Sequence, residues 1–207
     1  GLIDNRINYP YLCLLVSGGH TQIWKINSEI EYKILCTTVD DAAGEAFDKG
    51  ARMLGLGFPG GPEIQKVAIN GDATKQKFTK SKMPGTFDFS FSGLKSALRR
   101  EVEIESSKGQ ISSQKISDFA AGYQEAIVDS LVSKTVDAVK TYYVNGILIG
   151  GGVASNQLLR KEISDKSPVP VFIPRPDLCT DNGAMIAMTG WIKFKEKPAS
   201  QWDLDVI

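Results

Sequence analysis

Residues 147–156 read Ile-Leu-Ile-Gly-Gly-Gly-Val-Ala-Ser-Asn, and this stretch decides how the fold is interpreted. A short apolar run ends at three consecutive glycines, and a helical pattern follows over residues 157–163. This succession predicts an α/β fold whose main chain contacts a ligand. Glycines let the backbone approach a base or a phosphate, and a helix start offers unpaired N–H groups. A Cβ at Gly151 is therefore expected to meet the ligand; the alternative is a turn that only changes the chain's direction.

The composition of the chain narrows its class. Its 207 residues suffice for one large domain or two small ones with a substantial core. The 24 basic and 24 acidic residues argue against a nucleic-acid surface over the whole chain, but not against a local basic patch. No apolar run approaches the roughly 20 residues that span a bilayer, so no membrane association is expected. The three separated cysteines indicate free thiols in a reducing compartment, and the single histidine, His20, excludes an HExxH site within the chain.

A β-hairpin is predicted near the beginning of the chain. Apolar runs over residues 11–16 and 20–26 are joined through Ser17-Gly18-Gly19, and a third run over residues 32–39 extends the sheet. The turn places consecutive N–H groups, the serine hydroxyl and the hydroxyl of Thr21 at one tip, where they could bind phosphate oxygens. The alternative is a tight turn that happens to be polar.

A helix is predicted over residues 42–54, with Asp40 and Asp41 capping its positive end. Asp48 follows an apolar position of this helix and could point across a cleft. The glycine- and proline-rich residues 55–62 predict a rigid loop, whose Pro62 suits the first position of a short helix. Helical spacing predicts the buried face of the longer helix: Ala43, Phe47, Ala51 and Leu54.

The middle of the chain is predicted to be mainly helical. Alternating aromatic and polar residues over 87–91 predict a half-buried strand. A helix follows from Ser92, and residues 105–113 predict a loop. A long helix is predicted over residues 117–143, with an apolar stripe that forms its buried face: Phe119, Tyr123, Ile127, Leu131, Val132, Val136 and Val139. Before them lies a polar stretch with four lysines, for which solvation is the usual role and contact with RNA phosphate the alternative. These lysines are Lys75, Lys77, Lys80 and Lys82.

The last part of the chain again combines a strand with a helix start. Residues 169–173 predict the strand, and Thr180 or Asp181 is predicted to cap the final helix. The alternative for Asp181 is a metal ligand. A hard carboxylate at a helix start beside a phosphate pocket suits a cation that bridges to phosphate.

Several stretches, in their order and spacing, resemble the TsaD family of tRNA threonylcarbamoyladenosine biosynthesis over essentially the whole chain. They are residues 15–21 (LVSGGHT), 41–49 (DAAGEAFDK), 58–62 (FPGGP), 89–95 (FSFSGLK), 150–156 (GGGVASN) and 179–187 (CTDNGAMIA). The resemblance implies an α/β fold of the ASKHA type, shared with actin, the heat-shock ATPases and sugar kinases, in which two lobes enclose a nucleotide. Mainly the C-terminal lobe is expected here, with a mixed sheet flanked by helices.

The resemblance also implies a reaction. The family transfers the threonylcarbamoyl group from threonylcarbamoyl-AMP to N6 of adenosine 37 in tRNAs that read ANN codons. No protein nucleophile is required, since this substrate is an activated mixed anhydride, and no Ser/His/Asp set is evident. By motif, the phosphate and acyl side of the adenylate would be lined by Leu15, Val16, Ser17, Gly18 and Gly19. The rest of the adenylate would contact Asp48, Gly61 and Asn156.

The chain contains one residue that matches a metal ligand of this family. By resemblance, Asp181 would bind one divalent ion per subunit, Fe²⁺ or Zn²⁺, with Mg²⁺ as an alternative ion. The family's other ligands are a histidine pair in an HxxxH helix before the hairpin; the chain has only His20, which is expected to be structural or to lie behind the ligands. A C-terminal portion of a longer protein is therefore expected. Gln65 stands where an acidic residue is expected, which leaves one ribose contact open.

Three segments receive different expected roles. Residues 10–40 would form the phosphate-binding hairpin and sheet, 41–145 a helical insertion, and 146–207 the adenosine-binding segment with its metal-ligating aspartate. The resemblance implies tRNA and TsaB- and TsaE-type proteins as partners, in a bacterial cytoplasm or, in a eukaryote, an organellar matrix. Two alternatives are a kinase or ATPase of the same fold, and a non-catalytic module that binds a nucleotide or a partner.

Overall fold

A computed structural model describes residues 8–80, 83 and 85–196, and these residues contain a five-stranded mixed sheet. The strands, in chain order, are β1 (Tyr11–Val16), β2 (Thr21–Ile26), β3 (Tyr32–Thr37), β4 (Ile147–Gly150) and β5 (Val171–Phe172). Within the sheet they lie in the order β3-β2-β1-β4-β5. The predicted hairpin is confirmed, because β1 and β2 pair antiparallel.

The pairing of β1 brings the two glycine-rich turns to one edge of the sheet. β1 runs parallel to β4, with Leu15 opposite Gly150. Since the two strands run in the same direction, their carboxyl ends, Val16 and Gly150, reach the same edge. The segments that follow them therefore leave the sheet side by side, at the edge where open α/β sheets bind their ligands.

Helices pack with the sheet in one hydrophobic core. The longest of them has 30 residues and is buried along much of its length. In the described ranges, no helix is both long and apolar enough to cross a membrane. The helices are α1 (Ala43–Met53), α2 (Gly60–Ala68), α3 (Ser92–Ser107), α4 (Ser113–Tyr142), α5 (Gln157–Lys166) and α6 (Gly183–Glu196), with short 3₁₀ turns at Gly152–Ser155 and Pro176–Leu178.

Helix α4 forms the centre of the core, as its apolar spacing predicted. Tyr123, Ile127 and Leu131 are all fully buried. The Tyr123 ring occupies the space beside Gly50, where a Cβ would lie 2.3 Å from a ring carbon. Its hydroxyl donates to the carbonyl of Ala46 at 2.9 Å. Burial raises the pKa of Tyr123, so this hydroxyl stays protonated and joins α4 to α1.

The predicted buried face of α1 is confirmed, but its predicted cap is wrong. Phe47 and Ala51 on that face are each 1% exposed. The helix begins at Ala43, whose N–H donates to the buried hydroxyl of Thr21 at 2.8 Å. A β2 side chain thus caps α1, because the hairpin brings Thr21 to the helix start.

The two aspartates predicted to cap α1 hold α3 instead. Asp40 accepts a hydrogen bond from the N–H of Phe91, the residue immediately before α3, at 2.8 Å. Asp41 forms ion pairs with Lys49, at 2.9 Å, and with Lys95 of α3. The two neighbouring carboxylates therefore join the segment before α1 to the start of α3.

The strand predicted over residues 87–91 is not formed, and only Phe89 bridges to Thr38. The alternation nevertheless predicted burial correctly, since Phe89 and Phe91 are fully buried and stack with ring centroids 6.3 Å apart. The chain turns into α3 at once and pairs no further. Helix boundaries also shift: α2 begins at Gly60, before Pro62, while α3 continues to residue 107 and α4 begins at residue 113.

All three cysteines are free thiols, as expected. Cys36 and Cys179 are buried, and Cys13 is half-buried. Burial raises the pKa of the Cys13 and Cys36 thiols to about 11. Both thiols are therefore protonated at neutral pH and pack as small apolar side chains.

Candidate functional site

The carboxyl edge of the sheet carries a cavity of about 410 Å³. Five separate segments form its wall: the tip after β1, α1, the start of α2, the turn after β4, and the loop before α6. A volume of this size suits a small-molecule ligand. The lining residues are Gly18, Gly44, Phe47, Asp48, Pro59, Gly61, Pro62, Gln65, Gly152, Val153, Ser155, Asn156 and Thr180.

The three glycines after β4, residues 150–152, are called the glycine corner here, and their roles differ. Gly151 has φ +93°, and a Cβ at this position would lie 2.2 Å from the carbonyl oxygen of Val16. The expectation that a Cβ at Gly151 meets the ligand is therefore wrong, because β1 occupies that space. Gly152 lines the cavity, and a Cβ at this position would have Cγ2 of Thr180 as its nearest neighbour, at 3.9 Å.

At the hairpin tip, two main-chain N–H groups bond to the serine of the tip itself. Ser17 Oγ accepts hydrogen bonds from the N–H groups of Gly19, at 3.3 Å, and His20, at 3.0 Å. These donors therefore point to the serine. The hydroxyl of Thr21, predicted to lie at the tip, is buried against α1, so that prediction is wrong. Gly18 lines the cavity, and its N–H has no acceptor in the part of the chain that the structure describes.

Asp48 and the start of α2 form another wall. Asp48 Oδ1 accepts the N–H of Gly60 at 2.7 Å and so caps α2 from α1. Asp48 Oδ2 has no hydrogen-bond partner among the described residues. A Cβ on Gly61 would meet open space, whereas one on Gly60 would lie 2.5 Å from the Cα of Asp48. Gly60 is thus required for packing, and Gly61 leaves room in the cavity.

The side chain of Asn156 is largely engaged within the protein. Its Oδ1 caps α5 by accepting the N–H of Leu159 at 3.0 Å, and its Nδ2 donates to Gln124 at 2.8 Å. One amide hydrogen is left for a ligand. Gln65 Oε1 accepts the N–H of Gln157 at 2.7 Å, so this side chain joins α2 to α5 across one side of the cavity.

The loop before α6 presents a free carboxylate. Asn182 Oδ1 accepts the N–H of Met185 at 3.1 Å, so the prediction that Thr180 or Asp181 caps α6 is wrong. Asp181 is exposed and has no hydrogen bond or ion pair within the described residues. Thr180 lines the cavity, and Asp181 follows it directly. Those same residues contain no group of three or more His, Cys, Asp or Glu side chains suited to a metal ion.

Some, but not all, of the residues singled out by resemblance line the cavity. Gly18, Asp48, Gly61 and Asn156 line the cavity. Val16 is fully buried, and its hairpin neighbours Leu15, Ser17 and Gly19 adjoin the cavity without lining it. Among the lining residues missed, Gly44 had a signal in its glycine-containing motif: a Cβ there would lie 2.7 Å from the carbonyl oxygen of Ser17. Thr180 had the same kind of signal, because it lies in the family motif of residues 179–187.

A larger depression of about 520 Å³ lies between α4, α5 and the segment that follows α2, and its lining contains none of the residues singled out by resemblance. Its rim carries charges of both signs, including Lys77, Asp129 and Lys166. Lys80 of the predicted basic patch pairs with Asp129 at 2.6 Å, and Lys82 lies outside the described residues. The glycine-lined cavity is therefore the candidate site.

Similar solved structures define the class of the protein. HypF from T. kodakarensis has a TM-score of 0.66 at 12% identity, over 89% of this chain and 34% of that chain. The activator of 2-hydroxyisocaproyl-CoA dehydratase from Clostridium difficile has a TM-score of 0.52 at 18% identity, over 96% and 66%. At these identities the similarity shows the fold alone. The chain is an α/β protein with a mixed sheet that shares the fold of these structures, and the predicted fold class is confirmed.

The chain belongs to the TsaD family, tRNA N6-adenosine threonylcarbamoyltransferase, whose model matches residues 1–188. A relative of that name from Dehalococcoides mccartyi strain BAV1 is 49% identical over 199 residues, which cover 96% of this chain and 59% of the relative. The relative from Thermosipho africanus is 46% identical over 212 residues, which cover 98% and 63%. The chain thus spans about three-fifths of the length of these relatives.

Proposed function

We propose that this chain is the adenylate-binding part of a tRNA N6-adenosine threonylcarbamoyltransferase. The cavity at the carboxyl edge of the sheet would hold threonylcarbamoyl-AMP, with tRNA as the acceptor. The observation that supports this most directly is the meeting of Gly18, Asp48, Gly61 and Asn156 at one cavity. These residues come from four separate segments, and each matches a family motif predicted to contact the adenylate.

The lining residues offer complementary contacts to different parts of an adenylate. The free N–H of Gly18 at the hairpin tip suits a phosphate oxygen. The unpartnered Oδ2 of Asp48 can accept a hydrogen bond from a ribose hydroxyl. Gly61 and Gly152 lack side chains at the wall and leave room for a flat base.

The proposed reaction requires positioning rather than a protein nucleophile. The N6 amine of the tRNA adenosine attacks the carbamoyl carbon of the mixed anhydride, the bond to the phosphate oxygen breaks, and AMP leaves as the amine loses a proton. A cavity that holds the AMP portion fixes the carbamoyl carbon relative to the acceptor, and such orientation is a major source of rate acceleration.

The proposal includes a divalent metal ion only to the extent that Asp181 could be one of its ligands. Its exposed, unpartnered carboxylate could supply one oxygen ligand to Fe²⁺, Zn²⁺ or Mg²⁺, and a bound ion would polarise the carbamoyl or phosphate oxygens. One ligand is fewer than the three or four protein ligands of typical zinc sites. The remaining ligands would have to come from outside the described residues, so no step of the proposal depends on the ion. TsaB- and TsaE-type proteins and a bacterial cytoplasm are the proposed partners and compartment.

Binding of AMP tests the proposed site. Isothermal titration calorimetry should show AMP binding to the wild-type chain and binding weakened about tenfold, or about 1.4 kcal/mol, in Asp48→Asn. The asparagine retains an acceptor for the N–H of Gly60 but lacks the charge, so the fold should be unaffected. Equal affinities for both proteins would contradict the proposed role of Asp48.

An activity assay separates the proposed function from its alternatives. The complete polypeptide, supplied with tRNA, threonine, bicarbonate, ATP and the family's partner proteins, should form threonylcarbamoyladenosine. ATP turnover without tRNA modification would favour a kinase or ATPase. AMP binding without either reaction would favour a non-catalytic nucleotide-binding module.

A further inference from the structure

Arg160, in the first turn of α5, has an unusual set of partners. Its Nε donates to the carbonyl of Ala154 at 2.7 Å, and its Nη2 donates to the carbonyl of Pro174 at 2.7 Å. The same Nη2 lies 3.3 Å from Sγ of Cys179. No ion pair between Arg160 and a carboxylate is found in the described ranges. The half-buried guanidinium thus donates to two main-chain carbonyls and contacts a thiol.

These partners belong to two walls of the same cavity. Ala154 lies in the 3₁₀ turn that follows the glycine corner, between the lining residues Val153 and Ser155. Pro174 and Cys179 bracket the loop that leads to Thr180, which lines the cavity from the other side. One guanidinium therefore connects the glycine corner to the loop that carries the exposed carboxylate of Asp181.

We propose that Arg160 is a positioning residue that sets the separation between the glycine corner and the Thr180–Asp181 segment. The ligand identity used in its test rests on the proposed function; the positioning itself does not. A guanidinium presents its donors in a rigid plane and can hold two carbonyls in fixed relative positions, whereas a lysine ammonium is a point donor on a flexible stem. Arginine and lysine are therefore not equivalent at this position.

The loop before α6 has few other anchors. β5, which precedes it, has only two residues. In the loop, Arg175 and Asp177 are exposed and pair with each other at 2.9 Å. Cys179 is the buried residue of the segment, and its thiol contacts the carbonyl of Arg175 at 3.4 Å. Among the described residues, Arg160 is therefore the one side chain from another element that donates hydrogen bonds to this loop.

Hydrogen exchange of Arg160→Lys and Arg160→Met, measured by mass spectrometry, tests the proposal. Amides of residues 151–156 and of residues 175–182 should exchange at least about tenfold faster in both variants, while amides of α4 keep their wild-type rates. The AMP dissociation constant should rise about tenfold, which corresponds to about 1.4 kcal/mol. Arg175→Lys is the matched control, because that arginine lies in the same loop but pairs only with exposed Asp177; it should behave as wild type.

Chemical rescue distinguishes positioning from general stability. Guanidinium chloride at a low, non-denaturing concentration should restore AMP affinity to Arg160→Ala, whereas sodium chloride at the same concentration should not. Unchanged exchange in both segments of Arg160→Lys would overturn the proposal, and so would equally accelerated exchange throughout α4. If the wild-type chain binds no AMP, the proposed function fails, and the exchange rates alone still decide the role of Arg160.

Discussion

Glycines that look alike in the sequence differ in what surrounds them. Gly60 and Gly61 are neighbours at the start of α2, yet only Gly60 packs against main-chain atoms of α1. Gly151 and Gly152 form a similar pair, in which the first lies against Val16 and the second borders the cavity. In each pair a Cβ on the first glycine would overlap neighbouring main-chain atoms, whereas the second glycine lines the cavity.

Alanine at Gly60 and alanine at Gly61 should therefore have opposite effects on the free energy of unfolding. Gly61→Ala should leave the free energy of unfolding unchanged or raised by up to about 1 kcal/mol, because alanine favours a helix, while the AMP dissociation constant rises about tenfold. Gly60→Ala should lower the free energy of unfolding by about 1–3 kcal/mol, because its methyl group would overlap the Cα of Asp48. Urea denaturation and calorimetry measure both quantities.

The control is Gly190→Ala in α6, where a Cβ would also meet open space but no cavity wall. It should match Gly61→Ala in stability and wild type in AMP affinity. If Gly61→Ala also binds AMP as tightly as wild type, the space beside Gly61 does not receive the ligand.

Among the elements, the junction of α1 and α3 depends on two carboxylates. Burial alone would raise the pKa of Asp40, but hydrogen bonds from Phe91 N–H and the Ser90 hydroxyl outweigh it and lower the pKa. Burial opposes ionisation of Asp41 too, and its contacts with Lys95 and Lys49 likewise bring the net pKa below the usual value. Both groups are therefore more acidic in the folded than in the unfolded state.

This difference predicts acid sensitivity. A carboxylate with a lowered folded-state pKa contributes stability that is fully present above its unfolded pKa of about 4 and is lost as the pH falls through its folded pKa. The free energy of unfolding should therefore decrease from about pH 5 downwards, by up to about 1.4 kcal/mol per pH unit for each proton taken up. Urea denaturation at a series of pH values measures this slope.

Asp40→Asn should be less stable than wild type at neutral pH and should lose less stability on acidification. Asp165→Asn, which removes an exposed carboxylate paired with Lys161 on α5, is the control and should keep the wild-type slope. An unaltered slope in Asp40→Asn would show that other groups govern acid unfolding.

For the whole molecule, one continuous core joins the sheet to the helices that line the cavity. This core includes Leu14 of β1, Phe47 of α1, Ile64 of α2 and Leu159 of α5. Ligand binding at the cavity should therefore stabilise the whole described fold rather than one wall of it.

AMP at a hundred times its dissociation constant should raise the free energy of unfolding by about 2.7 kcal/mol. Far-ultraviolet circular dichroism and intrinsic fluorescence should report the same shift in Tm, because both follow a single cooperative transition. Inosine monophosphate, which lacks the exocyclic amine of the base, serves as the comparison ligand for base recognition. Two separate transitions, only one of them sensitive to AMP, would contradict a common core.

Local sequence alone predicted the hairpin, the apolar faces of α1 and α4, and the family. These follow from periodicity and from motifs whose information lies within a few consecutive residues. It also singled out Gly18, Asp48, Gly61 and Asn156, because the family motifs carry them.

Which polar atoms remain without a partner depends on the tertiary packing. Thr21 caps a helix 22 residues later in the chain, Asp40 holds α3 rather than α1, and Asn182 replaces Asp181 as the cap of α6. Arg160 joins two walls of the cavity. The contacts of Thr21, Asp40 and Arg160 are hydrogen bonds that depend on how distant segments meet. The Asn182 cap is local, but Thr180 and Asp181 beside it offer similar acceptors. A donor or acceptor whose partner is set by packing cannot be assigned from local sequence, because several nearby groups satisfy the same pattern.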